Sequence, residues 1–281
     1  MISSLNYFTT LVQEANSVPL FEAALAIAQD PYPALDLNAP QIAVDKFANT
    51  LKQRIHADAS QIKKLQLLNN FFFRELGFAG NVNNYYDPDN SYLQCVINSR
   101  RGIPISLAII YMELAQQVGL PIHGISFPGH FLMKLTVSSG DIVIDPLNGS
   151  SLSHVELEER LEPYLRTSPS QGKEKKISLQ PYLQNAHPHE ILGRLLRNLK
   201  IIFTQGQHWE PLLKLQQRLL ILQPNDPIEL RDRGAAYAHL DCPQAALDDI
   251  ENYLTQRPHA QDADALRAQA RELRKACKKL N

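Results

Sequence analysis

The chain has 281 residues, 44% of them hydrophobic and 20% charged, with a formal net charge of -1. That length suits two domains, or one domain with a helical appendage, and the balanced charge gives no general attraction for nucleic acid or an anionic membrane. The opening "MISSLNYFTTLVQEANSV" lacks a basic segment leading into an apolar core and a cleavage site, no stretch approaches about 18 uninterrupted apolar residues, and Cys95, Cys242 and Cys277 form no C-x-x-C pair; a cytoplasmic protein with reduced thiols is expected.

Residues 7 to 76 carry apolar side chains at spacings of three and four, punctuated by Pro and Asp, which predicts a helical bundle. "GFAGNVNNYYDPDN", 77 to 90, concentrates turn-forming residues and reads as a loop. A short helix is expected over "SYLQCVIN" and a buried one over "IPISLAIIYMELAQQVG". In the second, Pro104 suits a first turn, Gly119 and Pro121 form a stop, and Ala108, Tyr111, Met112, Ala115 and Val118 line the inner face.

The period then changes. "IHGISF", "HFLMKLTV" and "DIVIDP" are short and rich in β-branched and aromatic residues, so three antiparallel strands are expected, one opened by His130 and the next ended by Asp145. Ser153 with Glu156 matches a capping box and starts a further helix. "RTSPSQGKEKK" is polar and aperiodic and reads as an exposed linker, which places one domain at 1–166, a linker at 167–186 and a helical module at 187–281.

In that module Gly234 and Tyr237 on one helix, and Ala246, Ile250 and Tyr253 on the next, resemble a tetratricopeptide unit, in which a small residue lets paired helices approach. Pro224 and Pro258 stand about one 34-residue repeat apart, so a degraded unit precedes this one and the C-terminal basic helix caps the array. Two hairpins alone would be marginal, so the module is expected to dock on the first domain.

A buried helix followed by strands that carry a histidine and then an aspartate resembles the transglutaminase-like core, a relative of the papain-like cysteine hydrolases. With the tail, and with "NSYL", "RRGIPISLAIIY", "FPGHF", "IDPLNG" and "LRDRGAAY" as landmarks, the chain resembles a bacterial family of transglutaminase-like/tetratricopeptide proteins, sometimes labelled invasion-gene expression up-regulators. The resemblance implies an α+β fold: a helical N-terminal bundle packed with a papain-like core holding a small antiparallel sheet, then an all-α module. It also implies that a cysteine at the helix start would be the nucleophile, His130 its base and Asp145 the group that orients the imidazole.

At the nucleophile's place, however, stands Pro104, with Ser106 the nearest hydroxyl. Each candidate has two readings. Cys95 is a small buried hydrophobe or a thiol nucleophile; Ser106 caps a helix or attacks a carbonyl; Asp145 starts an Asp-Pro turn or orients His130; His130 is hydrogen-bonded among apolar neighbours or is a base. His187 and His189 in "HPH" form a metal pair or are solvated, and Arg100 with Arg101 holds an anion or makes a salt-bridged corner. No Walker loop or G-x-G-x-x-G occurs, so no cofactor is expected. The leading expectation is a non-catalytic scaffold or regulator that binds a protein partner; the alternative is a thiol or serine hydrolase or acyltransferase acting on amides through Cys95 or Ser106, His130 and Asp145. DNA contact is disfavoured by the charge.

Overall fold

The computed structural model describes residues 3–165 and 178–280. The N-terminal helices are α1 (Ser4–Val12), α2 (Leu20–Ala26), α3 (Asn38–Lys52) and α4 (Gln61–Asn69). Ser3 and Ser60 start α1 and α4 by accepting backbone N–H bonds from Asn6 and Lys63, both at 3.2 Å. A wide π-turn, Asn70–Glu75, continues α4 and turns Phe71 and Phe72 into the core. The expected loop follows, containing a two-residue strand β1 (Ala79–Gly80) that pairs in parallel with β2 (Arg101–Gly102) across α5 (Leu93–Ser99).

Helix α6 (Pro104–Gln117) begins with Pro104 and ends at Gly119, whose φ of +73° suits a residue without a Cβ. The sequence assigns it one inner face. The structure buries nearly the whole cylinder, Leu107, Ala108, Ile110, Leu114 and Ala115 completely. The reason is position: α6 is packed by α2, α3, α5 and the sheet on different sides, so only a narrow strip at Glu113, Gln116 and Gln117 meets water.

The sheet is β3 (Ile122–Ile125), β4 (Leu132–Val137) and β5 (Gly140–Ile144), antiparallel in that order, as expected from the change of period. Alternation along the strands sends Met133, Leu135 and Ile144 into the main core and Leu132 and Val143 to the opposite face. There they meet Leu157 and Leu161 of α7 (His154–Leu165) and Leu179. The capping box forms: Ser153 N–H donates to Glu156 at 2.7 Å and Glu156 N–H to Ser153 Oγ at 3.3 Å.

The expected linker stretch 166–176 lies outside the described residues. Residues 178–186 lie against the sheet, where Ala186 N–H donates to the Gly124 carbonyl at 2.8 Å and Lys134 Nζ to that of Leu183 at 2.8 Å.

The remainder is α8 (Pro188–Gln205), α9 (Trp209–Leu222), α10 (Pro227–His239), α11 (Pro243–Gln256) and α12 (Ala263–Leu280). Gly234 lets α10 and α11 approach, since a Cβ there would stand 3.0 Å from Ile250 Cγ1 and 3.3 Å from the Ala246 carbonyl. The module docks as expected: Leu192, Leu195, Leu199, Leu212, Leu215 and Leu219 join the main core. Arg218 of α9, 1% exposed, pairs with Asp30 beyond the end of α2.

Candidate functional site

The Pro128-Gly129 pair decides where His130 sits. Gly129 has φ +67° and the His130 N–H donates to the Phe127 carbonyl at 3.0 Å, which closes a four-residue turn with glycine at the position that requires positive φ. His130 therefore precedes β4, which starts at Leu132, and does not open the strand as the sequence suggests. Its ring is half-buried, and burial pushes its pKa below the ordinary imidazole value. The Arg160 and Arg194 cations push the same way and the Asp145 carboxylate opposes them.

Asp145 follows β5 and starts a turn held by bonds from the Asn148 and Gly149 N–H groups to its carbonyl. Asn69 locks that turn by donating to the Gly149 carbonyl at 3.0 Å and accepting from the Tyr111 hydroxyl at 2.6 Å. The Asp145 carboxylate is buried, and both oxygens are occupied: Oδ1 accepts from Leu147 N–H and Oδ2 from Arg160 Nη2, each at 2.9 Å. The adjacent strands bring His130 and Asp145 close enough to interact through charge, yet no hydrogen bond joins them. An imidazole–carboxylate pair at hydrogen-bond distance is not formed, and Arg160 of α7 holds the carboxylate instead.

Ser106 is completely buried. Its hydroxyl accepts from Ile103 N–H at 3.1 Å and donates toward the Asn90 carbonyl at 2.6 Å. It ties the start of α6 to the preceding loop and has no open side for a substrate. Cys95 lies in a different neighbourhood. Burial pushes its thiol up to about 11, the nearby Tyr32 hydroxyl, which donates to Asp89 at 2.6 Å, pulls back against the rise, and the Asp89 and Asp87 carboxylates add to it. Gln94 Nε2 approaches the sulfur at 3.5 Å. The groups acting on Cys95 and those acting on His130 have no member in common.

The other candidates have structural partners. His187 caps α8 by accepting from His189 N–H at 3.2 Å, and His189 Nε2 lies 2.9 Å from the Val12 carbonyl, so neither is simply solvated. Arg100 sits over the Phe47 and Phe78 rings, and Arg101 donates to the Gly77 carbonyl at 2.7 Å. Among the described residues no cluster of three or more potential metal ligands occurs, and no helix is long and apolar enough to cross a membrane.

Sequence reasoning missed Arg160 and Arg194, whose charges act on His130, and Tyr164 and Tyr85, which lie near Arg194. Arg160 and Arg194 belong to ordinary amphipathic helix patterns, and nothing in their local sequence distinguishes them. The exposed "YY" at 85 and 86, in a loop of small polar residues, was the one available signal.

The transglutaminase-like superfamily profile matches residues 39–197, and a tetratricopeptide-repeat profile matches 199–271. A UPF0162 protein of Xylella fastidiosa (strain Temecula1) is 39% identical over 89% of this chain and 88% of its own length. A UPF0162 protein of Pseudomonas aeruginosa is 34% identical over 84% and 83%, and protein SirB1 of Salmonella typhimurium 29% identical over 80% and 82%. No solved structure matches the chain.

Proposed function

This chain belongs to the UPF0162 family of transglutaminase-like proteins, and from that premise we propose that it is a non-catalytic scaffold or regulator that binds a protein partner. Residues 1–166 form the transglutaminase-like part, 167–186 the connection and 187–281 the tetratricopeptide-like module, whose paired helices present the kind of extended surface such repeats use for binding. The protein works in the cytoplasm without a cofactor. The carrying observation is at the start of α6, where Pro104 occupies the first helical position and the hydroxyl of Ser106, two residues on, is buried and hydrogen-bonded to Ile103 and Asn90. A thiolate at that position would gain from the helix dipole; proline supplies no nucleophile.

One observation favours the enzyme reading. Burial, with the Arg160 and Arg194 cations, lowers the His130 pKa and so favours the neutral imidazole that a base needs. What it would deprotonate is then the question, and residue-resolved labelling answers it. Treating the wild type at pH 7 with iodoacetamide, and separately with a fluorophosphonate, should modify exposed Cys242 faster than Cys95 and leave Ser106 unlabelled. Rapid alkylation of Cys95 that collapses in His130→Ala, or any labelling of Ser106, would overturn the scaffold reading in favour of a hydrolase or acyltransferase.

A further inference from the structure

Beside His130 a groove of about 480 Å³ runs between the Phe127–Gly129 turn and the face of α8 that carries Arg194 and Arg197. The two arginines differ in their partners. Arg197 is paired with Glu229 at 3.3 Å and bonded to Gln223. Arg194 donates to the Phe127 carbonyl at 3.0 Å and lies 5.9 Å from the Phe131 ring centroid, but among the described residues it meets no carboxylate. The acid on the groove wall, Glu190, is engaged by the His187 N–H at 2.8 Å. A partly buried cation without a counter-ion is costly, and burial lowers its pKa accordingly.

The surroundings match an interface. The Tyr164 hydroxyl presses on the turn so closely that a Cβ at Gly129 would stand 1.7 Å from it. Tyr164 and Tyr85 both lie near enough to Arg194 to act on its charge, and their rings are 49% and 53% exposed. Exposed tyrosines around an arginine are the residue types that dominate binding energy at protein interfaces.

We infer that this groove receives an acidic segment of a partner polypeptide, with a carboxylate on Arg194 and neighbouring side chains against Tyr85 and Tyr164. The inference rests on the scaffold reading and names the partner's chemistry. The chain's own stretch 166–176 has four basic residues and one acid, so its charge does not complement Arg194.

The test is selection of a phage-displayed random peptide library on the full-length wild type, followed by fluorescence polarisation of the enriched peptides. Enriched peptides should carry Asp or Glu, bind about tenfold more weakly to Arg194→Gln and several-fold more weakly to Tyr85→Ala, and bind unchanged to Arg74→Gln, which removes the same charge elsewhere. If Arg194→Gln fails to fold, Tyr85→Ala and the peptide with its acid replaced by the amide decide. The inference is overturned by no enrichment, by enriched peptides without acids, by equal binding to the groove variants and wild type, or by complete displacement with inorganic phosphate at the peptide's own concentration, which would mark a general anion site. Acidic peptides that bind here while Cys95 or Ser106 proves reactive would keep the groove and discard the scaffold.

Discussion

Arg160 Nη2 donates to Asp145 Oδ2 at 2.9 Å, and the carboxylate that would orient the histidine of a working triad is bound to a guanidinium instead. Arg160 also pushes the His130 pKa down. Removing it has a calculable sign: in Arg160→Ala the imidazole pKa rises toward its ordinary value of 6.5, read by NMR titration of the ring protons. Because the folded-state pKa of His130 is depressed, its contribution to stability is present above about 6.5 and is lost as pH falls through the folded value. Arg160→Ala should shrink that acid-side loss, and a His130 titration unchanged by the substitution would contradict the assigned electrostatics.

The Cys95 thiol, pushed up to about 11, should have an alkylation rate that climbs through pH 9 and 10 without reaching a plateau, whereas a catalytic thiol levels off near neutrality. Asp89→Asn removes one of the charges that raise it and should speed alkylation at pH 9. The rate is followed by mass spectrometry of the peptide carrying residue 95, and a plateau below pH 8 in the wild type would contradict the burial argument.

Ser106→Ala removes the hydroxyl that joins Ile103 N–H to the Asn90 carbonyl. The Ile103 N–H then keeps only its longer bond to the Asn90 carbonyl at 3.3 Å, so urea unfolding should show a loss of about 0.5 to 1.5 kcal/mol. An unchanged midpoint would mean that the bonds contribute nothing net.

Asp30→Ala strands the Arg218 guanidinium in the core between the N-terminal helices and α9, and should cost about 3 to 5 kcal/mol. The double variant Asp30→Leu with Arg218→Met should recover most of that loss, because two apolar groups leave no unpaired charge. Equal destabilisation of single and double variants would show that packing, and not charge, sets the cost.

Gly234→Leu forces side-chain atoms into the space held by Ile250 and the Ala246 carbonyl. Thermal unfolding should register a loss of about 1 to 3 kcal/mol by overpacking. A wild-type melting curve would contradict the close approach of α10 and α11.

Local rules made much of the architecture legible. The switch from helical spacing to β-branched runs marked the three strands, Pro104 and Gly119 bounded α6, Ser153 with Glu156 announced α7, and Gly234 marked the close approach of α10 and α11. Each depends on backbone chemistry within a few residues. The same logic limited Ser106: a first-turn hydroxyl is a capping group, and the sequence already allowed that reading.

What the sequence alone determined is therefore the type and order of its elements, the absence of a cysteine where α6 begins, and the pairing of small and large residues in the tail. Tertiary structure alone decided which charges meet. Arg160 reaches Asp145 from a helix that follows it in the chain, Arg194 approaches His130 from the helical module, and Arg218 finds Asp30 across most of the sequence. Charge interactions depend on distance through space and on burial, neither of which leaves a periodic trace along the chain. For that reason the histidine was visible in "FPGHF", while the groups that set its chemistry appeared only once the helices had packed around it.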